Sequence, residues 1–229
     1  GYGGPPITGD VAINGDRIVA VGDLSDARAG QRIDAVGMAV APGFINMLSW
    51  STESLIEDGL SQSDIRQGVT LEVMGEGNSM GPINGAMRAE MIRQQSYIQF
   101  DVPWTTLGEY LEHLEQSGIS TNIASYVGAT TIRVHELGEV DRPPTAEELA
   151  RMQELVRQAM REGAVGVGSS LIYAPAFYAK TDELIALVAA AREFNGGYIS
   201  HMRSEGDRYL EAIDELVAIS RATGARAQM

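Results

Sequence analysis

The chain has 229 residues, with 17 basic against 31 acidic side chains, no cysteine and 44% apolar content. The apolar fraction excludes a disordered chain, and a net charge of -14 argues against nucleic acid or a membrane surface as partner. Without thiols there are no disulfides, zinc ribbons or cysteine nucleophiles. Any metal must be held by His, Asp or Glu, and cytoplasm and periplasm are equally compatible.

No leader of charged then apolar residues opens the chain. Residues 10–22 alternate around Asn14-Gly15, the dipeptide that supplies the positive φ angles of a tight hairpin. Residues 33–41 read as a further strand before Pro42-Gly43. Residues 1–42 are therefore expected to form a small all-β piece, too short to bury a core alone. From Gly43 onward short apolar runs alternate with amphipathic helices. Strands are expected at 44–48, 70–75, 122–127, 165–169, 197–201 and 225–229, and helices at 62–67, 107–116, 146–161, 182–194 and 209–223. Thr145 to Glu148 is a capping box, Thr181 is a similar start, and Gly163, Gly196 and Gly224 sit where left-handed helix stops belong.

Repeated βα units place parallel strands under helices, in an open doubly wound sheet or a (β/α)₈ barrel. The segment GEGNSMG at 75–81 has glycines spaced much as in a dinucleotide loop. Glu76, however, repels phosphate, and no convincing helix follows closely. The barrel is favoured. It needs roughly 250 residues, so residues 43–229 are expected to be its first part, truncated at the C-terminus as a strand opens at residue 225. No run approaches the ~20 apolar residues of a membrane helix.

Three histidines are available for chemistry. His113 lies within an amphipathic helix beside Glu112 and Glu115, where a solvated histidine is the simple account. His135 falls in an expected loop next to Arg133 and Glu136. His201 ends an expected buried strand, where barrel enzymes carry their working side chains; a metal ligand or general base competes there with a core histidine bonded to backbone. Glu76 ends another strand on the same rim, and acid plus imidazole suit a divalent ion. Its bland alternative is a loop carboxylate capping a helix or pairing with Arg66 or Arg88. Tyr173 and Tyr178 follow a further strand and either line a pocket or pack their loop. Arg203 and Arg133 follow strand ends, and either grip a substrate carboxylate bidentately or pair with Glu205 and Glu136. Ser49, Ser169 and Ser200 lack the Gly-x-Ser-x-Gly spacing of a nucleophile elbow.

Several stretches together resemble the D-aminoacylase, or N-acyl-D-amino-acid deacylase, branch of the amidohydrolase superfamily: DVAINGDRI at 10–18, APGFIN at 41–46, QGVT at 67–70, GAVGVGSSLIYAP at 163–175 and SHMRSEGD at 200–207. The last two are the specific ones. The resemblance implies that residues 1–42 are the N-terminal strands of a small β-sandwich leading into the barrel, and that the protein is a zinc-dependent hydrolase of N-acyl-D-amino acids, or a related amide, acting through a zinc-activated water. His201 matches a zinc histidine, while the second zinc histidine and the catalytic aspartate belong beyond Met229. Tyr173 and Arg203 are the expected substrate contacts. Where the family carries His-x-His this sequence has Leu48-Ser49-Trp50; the family's cysteine ligand falls at or beside Glu76-Gly77, and a histidine near strand three is replaced by Ala129. The expectation is one zinc ion held by Glu76, His201 and a further histidine, with a small-molecule substrate and room for a homo-oligomer. The alternatives are an amidohydrolase-fold protein with another cyclic-amide or peptide substrate, and a metal-poor ligand-binding homologue.

Overall fold

The computed structural model describes residues 4–229. The chain divides into two compact units, Gly1–Pro42 and Gly43–Met229. In the first, β1 (Asp10–Asn14) and β2 (Arg17–Gly22) form an antiparallel hairpin closed by Asn14 opposite Arg17. Gly15 turns the chain at φ 61°, the left-handed angle the Asn-Gly dipeptide was expected to supply. Residues 33–41 are not a strand. Gly37 takes φ 78° in a turn closed by Met38 N on Ala35 O, and no neighbouring ladder accepts the flanking apolar residues.

The second unit is a βα array. Its parallel strands are β3 (Phe44–Asn46), β4 (Val69–Met74), β5 (Asn122–Ser125), β6 (Val127–Gly128), β7 (Gly166–Ser170), β8 (Gly197–His201) and β9 (Ala227–Gln228). They pair in chain order as β3-β4-β5 and β6-β7-β8-β9. Only Tyr126 separates β5 from β6, so the seven segments fill six successive strand positions of a (β/α)₈ barrel. Their helices are α1 (Ser54–Glu57), α2 (Gln62–Ile65), α3 (Gly85–Gln94), α4 (Leu107–Ser117), α5 (Ala129–Leu137), α6 (Ala146–Arg161), α7 (Thr181–Arg192) and α8 (Tyr209–Thr223).

Three helices had no counterpart in the sequence reading. The single turn of α1 is too short to show a period, and α3 buries no residue, so it carries no apolar stripe to read. Thr130, Thr131, Ile132 and Val134 make α5 look like a strand, and contacts override that propensity: Thr130 N donates to Gly77 O at 3.0 Å and Thr131 Oγ1 accepts from Ser79 N at 2.8 Å. Thr145 and Glu148 form both halves of the capping box. Thr181 is the first helical residue rather than the cap, its hydroxyl donating to Glu215, and the left-handed stop after α7 is Asn195 rather than Gly196.

Strand alternation separates two cores. Outward-facing Met74, Val127, Val167 and Tyr198 pack under the helices with Met152, Val156, Leu184 and Leu187. Inward-facing Val73, Tyr126 and Ile199 form a smaller cluster with Leu71 and Ala124 inside the barrel. Among the described residues no helix is long and apolar enough to cross a membrane.

Candidate functional site

His201 lies two residues beyond inward-facing Ile199, so alternation points it into the barrel at the C-terminal end of β8. Beyond β4 the chain turns inward through Gly75 (φ 93°), Glu76 and Gly77 (φ 84°). This loop lies on bare backbone. A Cβ at Gly168 of β7 would stand 2.2 Å from Gly75 O, and one at Gly128 of β6 would stand 2.4 Å from Gly77 O. Ser170 Oγ then donates to Glu76 O at 3.2 Å, and Gly128 N donates to Ser79 Oγ at 2.9 Å. The glycines of GEG and of VGVGSS are two halves of one contact. In the sequence alone they read as separate loop and strand signals.

Glu76 is thereby held 8% exposed, and no donor among the described residues reaches its carboxylate. Neither Arg66 nor Arg88 pairs with it: Arg66 Nε meets Gln62, and Arg88 Nη2 donates to Trp104 O and Thr105 Oγ1. Burial pushes the Glu76 carboxyl above the ordinary glutamate value, and the nearby charge of His201 pulls the other way. Ser170, which holds the Glu76 carbonyl, pairs with His201 across β7 and β8, so the two candidates share one stretch of the rim. Nε2 of His201 is buried without a hydrogen-bond partner; Glu205 Oε1 lies 3.3 Å away but too poorly aligned to accept. Tyr173 meets the imidazole edge-on, with ring centroids 5.3 Å apart. A desolvated carboxylate and an unpartnered imidazole nitrogen fit two positions of a divalent-ion shell. No cluster of three such donors occurs among the described residues. Leu48 and Trp50 follow β3 on the same rim and bring no donor atom suited to a cation.

The other candidates are engaged elsewhere. Arg203 grips a carboxylate bidentately, but it is that of Glu215, and its remaining contacts are the carbonyls of Phe177 and Ala179. Arg133 and His135 belong to α5 rather than to a loop. Arg133 is buried against Glu183 at 2.6 Å, not paired with Glu136. His113 leans on the Trp104 ring at 5.2 Å. Ser169 and Ser200 bond to each other, and Ser169 also to Tyr198, under the helix layer. Ala129 opens α5.

Sequence reasoning missed Glu72. It is fully buried on the outward face of β4 and accepts from Ser49 at 2.6 Å, Ser61 at 2.8 Å and Thr121 at 2.8 Å. Burial raises its pKa, but the hydroxyl hydrogen bonds of Ser49, Thr121, Ser61 and Ser51 outweigh it and hold the carboxyl below the usual value. The available signal was an acid inside an otherwise apolar strand.

No protein-family model matches the chain. D-aminoacylase of Alcaligenes xylosoxydans xylosoxydans is 34% identical over 216 residues, covering 93% of this chain and 44% of that protein. The crystal structure of a D-aminoacylase described as defining a novel subset of amidohydrolases superposes with a TM-score of 0.86 at 33% identity, over 99% of this chain and 48% of that one. The chain belongs to the D-aminoacylase branch of the amidohydrolases. N-acyl-D-glutamate deacylase of Bordetella bronchiseptica, solved with zinc and a phosphonate mimic of the tetrahedral intermediate, matches with a TM-score of 0.85 at 29% identity, over 99% and 48% of the two chains. The chain spans about half the length of the curated deacylases it matches. Within that span lies the barrel rim carrying Glu76, His201 and Tyr173.

Proposed function

We infer that the protein is a metal-dependent amidohydrolase that cleaves the amide bond of N-acyl-D-amino acids. The observation that carries this reading is a pair of metal-type donors at the strand ends of one rim: His201 Nε2, buried with no hydrogen-bond partner, and the carboxylate of Glu76, a residue 8% exposed with no donor to it among the described residues. Leaving His201 Nε2 unsatisfied costs stability, which a bound cation recovers. The D-aminoacylase relative and the zinc-containing deacylase structure support both the substrate class and the ion. Leu48 and Trp50 offer no donors for a second ion, so the reading is one zinc per chain, completed by a ligand outside the described residues.

Zinc held there supplies a Lewis acid for an amide carbonyl and a means of ionising water near neutral pH. The chain's own residues prepare the place. Gly128, Gly168 and Ser170 hold the Glu76 backbone, so its carboxylate meets a cation without a search through loop conformers. The edge contact from Tyr173 limits the tilt of the His201 ring. Tyr173, 59% exposed, offers its ring and hydroxyl to a substrate entering the mouth.

The test is zinc content and release of free D-amino acid by the full-length protein. The expected result is about one zinc per chain, with metal and activity lost together on Glu76→Ala and on His201→Ala. A wild type that binds no zinc, or variants that keep both metal and activity, would overturn the reading.

A further inference from the structure

We propose that Arg203 is a positioning residue, which fixes residues 171–180 so that Tyr173 stands against His201, and that it does not itself contact the substrate. This rests on the deacylase reading of the rim. The segment leaves β7 at Leu171, whose N–H donates to His201 O at 2.8 Å, and returns at Ala179, whose carbonyl accepts from Arg203 Nη2 at 2.8 Å. Both ends are therefore tied to the short stretch that carries His201. Between them Arg203 Nη1 donates to Phe177 O at 2.7 Å, and the guanidinium lies 5.6 Å from the Phe177 ring centroid. Phe177 N in turn donates to Tyr173 O at 2.8 Å, which carries the anchorage to the tyrosine.

Arg203 is itself held. Its Nε and Nη2 each donate at 2.9 Å to Glu215 of α8, and Glu215 Oε1 also accepts from Thr181 Oγ1 at 2.9 Å. Four of the five guanidinium N–H groups are thus committed inside the protein. Gripping a substrate carboxylate bidentately takes two parallel N–H groups, and one remains. Two carbonyls and a carboxylate in one fork are a geometry that lysine cannot reproduce. The consequence is a tyrosine-bearing wall set by a charge pair behind it.

The experiment compares wild type, Arg203→Lys, Glu215→Gln and the double variant of the full-length protein. Amide hydrogen exchange of residues 171–180 is followed without zinc or substrate, and KM and kcat are measured on an N-acyl-D-amino acid. Each single variant is expected to speed exchange in that segment about tenfold and to raise KM about tenfold, with a smaller fall in kcat, and the double variant to be no worse than either single one. Thr181→Val, which removes only the hydroxyl on Glu215, is expected to move both readouts slightly in the same direction. A raised KM in Arg203→Lys alone with unchanged exchange would mean that Arg203 meets substrate directly and would overturn the proposal. So would faster exchange with unchanged KM. If wild type hydrolyses no N-acyl-D-amino acid, the deacylase reading fails, and unchanged exchange in Arg203→Lys and Glu215→Gln still overturns the clamp independently.

Discussion

Glu72 and Glu76 lie four residues apart on one strand and the turn that leaves it, both buried, and their surroundings are opposite. Glu72 faces the helix layer, where serine and threonine hydroxyls surround its carboxylate and hold its pKa down. Glu76 faces the barrel mouth, where backbone contacts fix the main chain, no donor among the described residues reaches the carboxylate, and burial holds its pKa up. Burial alone therefore does not distinguish a structural acid from a functional one. The hydrogen-bond inventory separates the two: Glu72 is satisfied by protein hydroxyls, whereas the Glu76 carboxylate has no donor among the described residues, which is what the proposed ligand role requires.

The widest separation between the two acids is expected in stability. Glu72→Ala leaves the hydroxyls of Ser49, Ser61 and Thr121 without their buried acceptor and unties the turn after β3, so the loss is expected to be about 3–5 kcal/mol. Glu76→Ala removes a desolvated acid with no partner and is expected to leave the metal-free protein at least as stable as wild type. Denaturant unfolding of the zinc-free full-length protein checks both, and equal losses would erase the distinction. Next in size is Gly168→Ala. Its new Cβ would strike Gly75 O, so the strand or the Glu76 loop must shift, at about 1–3 kcal/mol. Because the displaced part carries Glu76, zinc affinity is expected to fall by about 10–100-fold as well, the range seen when the supports of metal ligands are removed. Isothermal titration with zinc reads that drop, and unchanged affinity would show that the glycine contact does not place the ligand.

How far this contrast was legible in the sequence follows from the kind of signal each part carries. The hairpin at Asn14-Gly15 and helix α6 behind Thr145 and Glu148 are local, written in turn and capping residues within a few positions of one another. His201 was legible as a rim residue because the apolar run before it placed it at a strand end. Partnerships were not legible. Arg203 meets Glu215, Arg133 meets Glu183, and Glu72 meets Thr121, at separations of 12, 50 and 49 residues. Nothing in the chain near either partner announces such pairs. Residues 33–41 failed for a related reason: an alternating apolar pattern becomes a strand only when a neighbour completes its ladder.

The smallest effect is also the one that isolates the charge on Glu72 from its shape. A group whose folded pKa lies below its unfolded value adds stability in full above the unfolded pKa, about 4.3 for glutamate, and loses it as pH falls through the folded value. Glu72→Gln keeps the volume and one carbonyl acceptor but cannot ionise. The stability gap between wild type and Glu72→Gln is therefore expected to stay level from neutral pH down to about pH 5 and to narrow below about 4.3. One carboxyl can contribute a slope of at most about 1.4 kcal/mol per pH unit. Denaturant unfolding across that range in zinc-free protein supplies the measurement, and full-length Glu76→Ala is a suitable background because it removes the buried acid of the turn that follows the strand. A gap that widens toward low pH would mean that Glu72 is protonated in the folded state, donating to one hydroxyl rather than accepting from all of them. The hydroxyl cage would then be a neutral network, and the contrast with Glu76 would rest on hydrogen bonding without charge.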